Sequence, residues 1–423
     1  MRKLDVQSDP QIKRNKRLEL LSIEDFNYSP TVISGFAMRW VLLKIYSDLS
    51  WQFLKKYKNP FKLWGMVKKL NAKKKEVTFG KKMLKLAKVN GKHYFTPVGF
   101  IGGQGWPSKH YYRNFLVLAR EFMTNDVTPS EDLGLAYVAI TKKCPMRCEH
   151  CYEWDELNKK EVLKMDELKA IVKRFQDAGV SQIVFAGGEP MSRVKGLVEL
   201  LATAERKTDF WVSTSGFNFT RENALTLKAA GLTGVNISLD HHDKNAHNLF
   251  RGNTDAFDWV LNAAKNAYEN ELITSFDLCP VRSFCTMEDL MKYAELVKRL
   301  GGAFIQIYEP RDVGHYAGKD VLLKDEHKAV LNEFFFKLNF DPAYKDYPIV
   351  AYVDMVFNNI GCSGSGNRFL YVDTNGMVNP CPLCRSKSMH ILDANLDEVL
   401  VNLRGEGCSN YKAQESAFNE TFV

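Results

Sequence analysis

The chain has 423 residues, 45% of them apolar, and a formal net charge of +8, which suits a folded protein of two or three domains and excludes a low-complexity chain. It opens MRKLDVQSDPQIKRNKR, with no short apolar core and no small-residue cleavage site. The longest apolar stretch, Thr31 to Leu43, is broken by Arg39 and is too short to cross a bilayer, so the cytoplasm is the expected location.

The charge is unevenly spread. Residues 1–130 hold 25 Lys and Arg against 9 Asp and Glu, a net of +16, which leaves −8 for the remainder. Between Lys44 and Lys92 stand 15 lysines with only Asp48 and Glu76 as acids. Such a run is either a solvated face or a contact surface for something anionic. Within this region Met38, Leu42, Ile45, Leu49 and Phe53 recur at helical spacing and define one apolar face. Asn59-Pro60 stops that helix, and Phe61, Trp64, Val67 and Leu70 suggest a second, shorter one. Asn90-Gly91, between Met83–Val89 and Lys92–Thr96, reads as a hairpin turn. The loop Gly99 to Pro107 lacks the Gly-Lys-Ser/Thr ending of a phosphate loop. Residues 1–131 therefore read as a basic region, mostly helical, with at most one hairpin.

From Leu135 the rhythm becomes strands alternating with helices. Expected strands are Ala136–Thr141, Gln182–Ala186, Phe210–Thr214, Gly234–Leu239, Thr274–Leu278 and Ala303–Tyr308. Expected helices are Met165–Ala178, Val194–Arg206, Arg221–Ala230, Asp255–Ala267 and Met287–Leu300. Asp166 and Thr286 fit as N-caps, while Gly179, Gly231 and Gly301 stand where helices should stop. Six β/α units imply an α/β fold with a parallel sheet, open or rolled into a barrel, over residues 132–315. Functional residues then belong at the C-terminal strand ends.

The motifs fall at those ends. After the first strand come Cys144, Cys148 and Cys151 within eight residues, one thiolate short of the four that usually hold a 4Fe–4S cluster. Nine cysteines in all, an odd count bunched here and near the C-terminus, suit metal or cluster ligation better than a disulfide framework. A zinc site with His150 or His241 as fourth ligand is the alternative that this spacing leaves open. The second strand ends in Gly187-Gly188-Glu189-Pro190, the third in Ser213-Thr214-Ser215-Gly216, and the fourth in Ser238-Leu239-Asp240, with Arg251-Gly252 following.

Together these motifs resemble the radical S-adenosylmethionine superfamily, whose signature is C-x3-C-x-aromatic-C, here with His150 in the aromatic position. The resemblance implies a partial (β/α)6 barrel. It further implies a 4Fe–4S cluster on Cys144, Cys148 and Cys151, which would be both metal ligands and the catalytic centre. The open iron would chelate S-adenosylmethionine, whose reductive cleavage yields a 5′-deoxyadenosyl radical that abstracts hydrogen from substrate. Glycines 187 and 188 let backbone approach a ligand, and the Glu189 carboxylate can pair with an ammonium. The hydroxyls of Ser213 and Ser238 and the Asp240 carboxylate suit a ribose or amino-acid group, and Arg251 could grip a carboxylate. His150 joins these as a cofactor contact.

A second cysteine set closes the chain: Cys362, Cys381, Cys384 and Cys408. The stretch Phe369 to Cys381, with Asn375-Gly376 as a hairpin turn, resembles the auxiliary-cluster domains called SPASM and twitch. Four cysteines imply one auxiliary 4Fe–4S cluster in a small domain over 316–423; a structural zinc is the alternative. Cys279 at the fifth strand end, and Gln306, Tyr308 and Glu309 at the sixth, are substrate-side candidates, while Cys285 reads as an inert buried thiol.

The substrate is not legible. Relatives with auxiliary clusters act on ribosomally made peptides, on sulfatases or on small molecules. A peptide or protein maturase, a membrane-associated lipid- or glycan-modifying enzyme, an RNA-modifying enzyme and a non-enzymatic Fe–S electron carrier are the competing readings. A leader-binding module built on a three-stranded sheet is not what residues 1–131 suggest. The expected partners are a reductant such as flavodoxin or ferredoxin and, through the lysines and Trp40, Trp51 and Trp64, an anionic membrane surface. No recognised nucleic-acid-binding module is visible.

Overall fold

The computed structural model describes residues 18–28, 31–33, 35–61, 64, 65, 68, 84–89, 92–97, 104–105, 133–355, 364, 366, 368–385, 389–393 and 395–406. The Asn90-Gly91 turn, most of the Gly99 to Pro107 loop, Cys362 and Cys408 lie outside them. In the basic region, α1 (Gly35–Tyr57) is one continuous helix. The predicted hairpin is present as β2 (Leu84–Val89) and β3 (Lys92–Pro97), paired antiparallel. It is not alone: β1 (Thr31–Ile33) joins β2, and β4 (Gln104–Gly105) joins β3, making a four-stranded antiparallel sheet in the order β1-β2-β3-β4. The expectation of at most one hairpin is therefore corrected. The two added strands are three and two residues long, too short to carry a legible alternation.

The larger sheet runs β11-β10-β9-β8-β7-β6-β5-β12-β13. Its strands are β5 (Leu135–Ala139), β6 (Gln182–Ala186), β7 (Asp209–Thr214), β8 (Leu232–Ser238), β9 (Ile273–Leu278), β10 (Phe304–Ile307), β11 (Ile349–Tyr352), β12 (Phe369–Val372) and β13 (Val378–Asn379). Every pairing in it is parallel except β12 with β13. Strands such as LAYVA and QIVFA are apolar on both faces because both faces are covered, which removes the alternation of a half-exposed strand. The crossovers are α2 (Met165–Ala178), α3 (Val194–Thr203), α4 (Arg221–Ala230), α5 (Lys244–Arg251), α6 (Ala256–Glu269), α7 (Met287–Arg299) and α8 (Asp325–Phe340), and α9 (Leu396–Glu406) follows the last strand.

The parallel α/β sheet is what the six repeating units imply, and its partial-barrel form is what the resemblance implies. Two details differ. The N-cap of α2 is Lys164, whose N–H donates to Glu167 at 2.8 Å, so Asp166 is already inside the first turn. Thr286 does cap α7, accepting from Asp289 N–H at 3.1 Å. The sheet also continues past residue 315, since β11 and β12 extend it on opposite edges. The C-terminal hairpin is thus built onto β5 rather than standing apart.

Candidate active site

Immediately after β5 the chain runs beside the end of β6. Gly188 N–H donates to Thr141 O at 2.8 Å and Glu189 N–H to Lys143 O at 2.7 Å. A methyl group on Gly187 would stand 2.6 Å from Thr141 O, and one on Gly188 2.5 Å from Lys143 O. Backbone lies on backbone here, so any side chain would force the two loops apart.

The loop carrying Cys144, Cys148 and Cys151 is pinned from three directions. Arg147 N–H and Glu149 N–H donate to Arg251 O and Phe250 O at the end of α5, each at 3.0 Å. Asn158 exchanges two hydrogen bonds with the Cys144 backbone, at 3.0 and 3.1 Å. His315 N–H donates to Cys151 O at 2.9 Å, and its Nδ1 lies 3.0 Å from Cys148 O, while its ring stacks on Trp154. All three thiols are unbridged and face a cavity of about 270 Å³. Burial raises each of them: Cys144 well above the ordinary thiol value, Cys148 upward, and Cys151 to about 12. Without a metal they stay protonated; binding one would release those protons.

Every described residue that the sequence assigns to a cluster or cofactor lines this cavity: the three cysteines, His150, Gly187, Gly188, Glu189, Ser213, Ser238, Asp240, Arg251, Cys381 and Cys384. His241 is not among the lining residues. Among the described residues no three His, Cys, Asp or Glu side chains are grouped to hold a single metal ion. The donor set that faces the cavity, three thiols on one loop with neighbouring cationic and hydroxyl groups, suits a multi-iron cluster that takes one thiolate at each of three irons.

Several side chains are engaged differently from their expected roles. Glu189 is 1% exposed and accepts four hydrogen bonds: from Thr214 Oγ1 at 2.7 Å, Met191 N at 3.0 Å, Ser215 N at 2.7 Å and Ser215 Oγ at 2.6 Å. Those four fill its acceptor positions, so the carboxylate ties the β6 loop to the β7 end instead of standing free for an ammonium. Burial raises its pKa against the opposing effect of these bonds. Arg251 does grip a carboxylate, but that carboxylate is Asp240: Nε donates to Oδ2 at 2.6 Å and Nη2 lies 2.5 Å from it. Asp240 Oδ1 accepts from Cys279 N–H at 3.0 Å, and Arg251 Nη1 reaches Cys148 Sγ at 3.7 Å. Burial works to raise Asp240, yet Arg251, His150 and His247 hold it below its ordinary value. His150 stacks on Phe250 at 4.8 Å. Burial pushes its ring down to about 4, so it is neutral near pH 7, and its buried Nδ1 has no partner among the described residues.

The sequence reading missed Asp277, Tyr137 and Ser215. Asp277 pairs in register with Ser238 across β8 and β9, and both line the cavity. Among the described residues its Oδ1 has no hydrogen-bond partner, and burial, ahead of the opposing Arg251, raises it to about 8. The signal was a lone acid near the end of the apolar strand ITSFDL. Since the unfolded carboxyl ionises near 4 and the folded one near 8, the unfolded state holds fewer protons between those values. Stability of the cofactor-free chain should fall as pH rises through that window. Asp277→Asn should flatten the fall, and thermal melts across the window read it; an unchanged slope would place Asp277 in solvent-like surroundings.

The C-terminal hairpin is fastened to the same loop. Gly376 N–H donates to Asp373 O at 2.9 Å, closing the predicted turn. Lys142, buried at 3% exposure, donates to Glu156 at 2.6 Å and to Asn375 at 2.7 Å, and Lys142 holds Glu156 down to about 2. Next to Cys384, Arg385 donates to Glu153 at 2.6 Å and to Tyr152 O at 3.1 Å, with Tyr371 also bonded to Glu153. Two polar ties therefore hold Cys381 and Cys384 against the loop of Cys151.

Residues 138–297 match the family model described as the Radical SAM superfamily. An AdoMet-dependent heme synthase of Nitratidesulfovibrio vulgaris is 28% identical over 57% of this chain and 71% of its own length. A probable GTP 3′,8-cyclase of Saccharolobus islandicus is 27% identical over 66% of this chain and 91% of its own. Of solved structures, native anSMEcpe with bound AdoMet and Cp18Cys peptide superposes with a TM-score of 0.53 at 18% identity, covering 67% of this chain and 84% of that one. Streptococcus suis SuiB bound to precursor peptide SuiA gives 0.50 at 13%, covering 68% of each. These last two share the fold.

Proposed function

We propose that this chain is a radical S-adenosylmethionine enzyme, that Cys144, Cys148 and Cys151 hold its 4Fe–4S cluster and that the cavity around them takes S-adenosylmethionine and then substrate. When bound, cluster and S-adenosylmethionine supply a 5′-deoxyadenosyl radical able to abstract hydrogen from an otherwise unreactive carbon. The chain's own residues prepare the place. Three thiols, where such a cluster ordinarily takes four, leave one position for the amino and carboxylate groups of the cosubstrate. Gly187 and Gly188 present bare backbone to the cavity, and the Ser213 and Ser238 hydroxyls are within it for ribose or amino-acid contacts. Arg251 sets a positive charge beside Cys148, which favours the more negative reduced state of the cluster. Asp240 and Glu189 act by positioning, the one holding Arg251 and the other holding the Gly187-Gly188 turn.

The observation that carries this reading is the convergence of four separate strand-end motifs on one cavity. Hydrogen abstraction is the reaction class common to the site, while relatives of similar identity bear names as unlike as heme synthase and GTP cyclase. Tyr137, Asp277, Cys279 and Tyr308, on the cavity wall, are the residues that substrate would meet. Burial keeps the Cys279 thiol protonated, as a hydrogen-atom donor would need.

Cys381 and Cys384 would hold an auxiliary cluster of the SPASM or twitch kind, with Cys362 and Cys408 completing it. Support comes from the hairpin turn and from the two thiols lining the same cavity. On this reading anaerobic reconstitution loads about eight irons per chain. Cys381→Ala and Cys384→Ala should each lower that to about four while cleavage of S-adenosylmethionine without substrate stays measurable. Iron unchanged by either substitution would remove the auxiliary cluster.

A further inference from the structure

The helix α1 carries a second apolar face. Phe53, on the face that the sequence singles out, is buried at 1% exposure. On the opposite side Phe36, Trp40, Leu43, Ser47 and Trp51 follow one another at spacings of four, three, four and four, all exposed. Phe36 is 74%, Trp40 59%, Leu43 59% and Trp51 67% exposed. At 1.5 Å per residue the ridge is about 22 Å long. Beyond the Asn59-Pro60 break it is followed by Phe61 at 80% and Trp64 at 67% exposure, with Lys68 Nζ 5.6 Å from the Trp64 ring. Scattered exposed apolar residues are ordinary; three aromatics and a leucine in one line on one helix are not.

We infer that this ridge lies on an anionic phospholipid bilayer, with the tryptophans at headgroup depth and the lysines around it facing the lipid phosphates. Charge complementarity selects that occupant. The exposed Lys55, Lys58 and Lys68 flank the apolar residues, within a segment of 15 lysines and two acids. A bilayer satisfies both features at once, apolar burial for the ridge and negative charge for the rim. A nucleic acid would answer the lysines and leave a 22 Å apolar line in water (about that length at helical rise). No helix among the described residues is long and apolar enough to cross a membrane, so the contact is with one face of the bilayer. Tryptophan suits that depth because its ring is apolar and its N–H is wet.

The test uses the full chain with its clusters reconstituted. It should co-sediment with mixed phosphatidylcholine–phosphatidylglycerol vesicles at about 0.1 M salt and far less with phosphatidylcholine alone, with a blue shift of tryptophan emission. Trp40→Ser, Leu43→Ser and Trp51→Ser together should lower partitioning at least about tenfold at low and high salt alike. Lys55→Glu, Lys58→Glu and Lys68→Glu together should lower it at low salt but little near 1 M, where the screening length is about 3 Å. Cluster absorbance and S-adenosylmethionine cleavage, measured without vesicles, should be unchanged in both variants, which separates failure here from failure of the enzyme reading. The inference is overturned if the wild type stays in the supernatant with anionic vesicles. It is also overturned if the serine variant sediments like the wild type, or changes self-association in light scattering without changing vesicle binding.

Discussion

Arg251→Ala should destabilise the chain by about 3–5 kcal/mol, because it strips the counterion from a buried carboxylate. Asp240 is 5% exposed, and among the described residues its side chain accepts, apart from Arg251, only from the Cys279 N–H. A loss of that size corresponds to a melting temperature lower on the order of 10 °C. Asp240→Asn should cost a similar amount from the other side, leaving a buried guanidinium beside Cys148. The double variant Asp240→Asn/Arg251→Met should lose less than the two singles combined, since neither charge is then orphaned. A structural pair alone would stop there. Arg251 also reaches Cys148 Sγ at 3.7 Å, so both Arg251→Ala and the double variant should shift the potential of the first cluster to more negative values. Melts and a potentiometric titration read the two effects separately. A potential that does not move would confine Arg251 to holding Asp240.

The fold was legible wherever its signal repeats. The β6 strand and the α2 and α4 helices stand within the bounds that periodicity predicts, because buried parallel strands and their amphipathic crossovers leave strong, distinct patterns. β11 was missed because IVAY is four residues long and follows a helix whose apolar positions, Phe334, Phe335 and Leu338, look like part of another unit. The short β1 and β4 fell below the same threshold. At the site, residue positions were legible and residue partners were not. Sequence spacing puts Glu189, Asp240 and Arg251 at strand ends, but only the packed structure has Glu189 saturated by Thr214, Ser215 and Met191, and Arg251 spent on Asp240. Ser215 was passed over for Ser213 although both line the cavity. In α1 the sequence offered Trp40 and Trp51 as membrane contacts but not the line they share with Phe36 and Leu43, because one apolar series at helical spacing already explained the helix.

The most direct test of the central claim is iron content and S-adenosylmethionine cleavage, measured together on the anaerobically reconstituted chain and on its Cys144→Ala/Cys148→Ala/Cys151→Ala variant. The three thiols line one cavity, and the backbone ties to Arg251, Phe250, Asn158 and His315 do not use their side chains. The variant gives up the 3.7 Å hydrogen bond of Arg251 to Cys148 Sγ but none of those ties, so it should keep its fold. The account predicts that iron falls by half, from about eight to about four per chain. Methionine and 5′-deoxyadenosine, formed in equal amounts by the reduced wild type, should become undetectable. Full cleavage by the triple variant, or a wild type that takes up stoichiometric zinc and little iron, would contradict it.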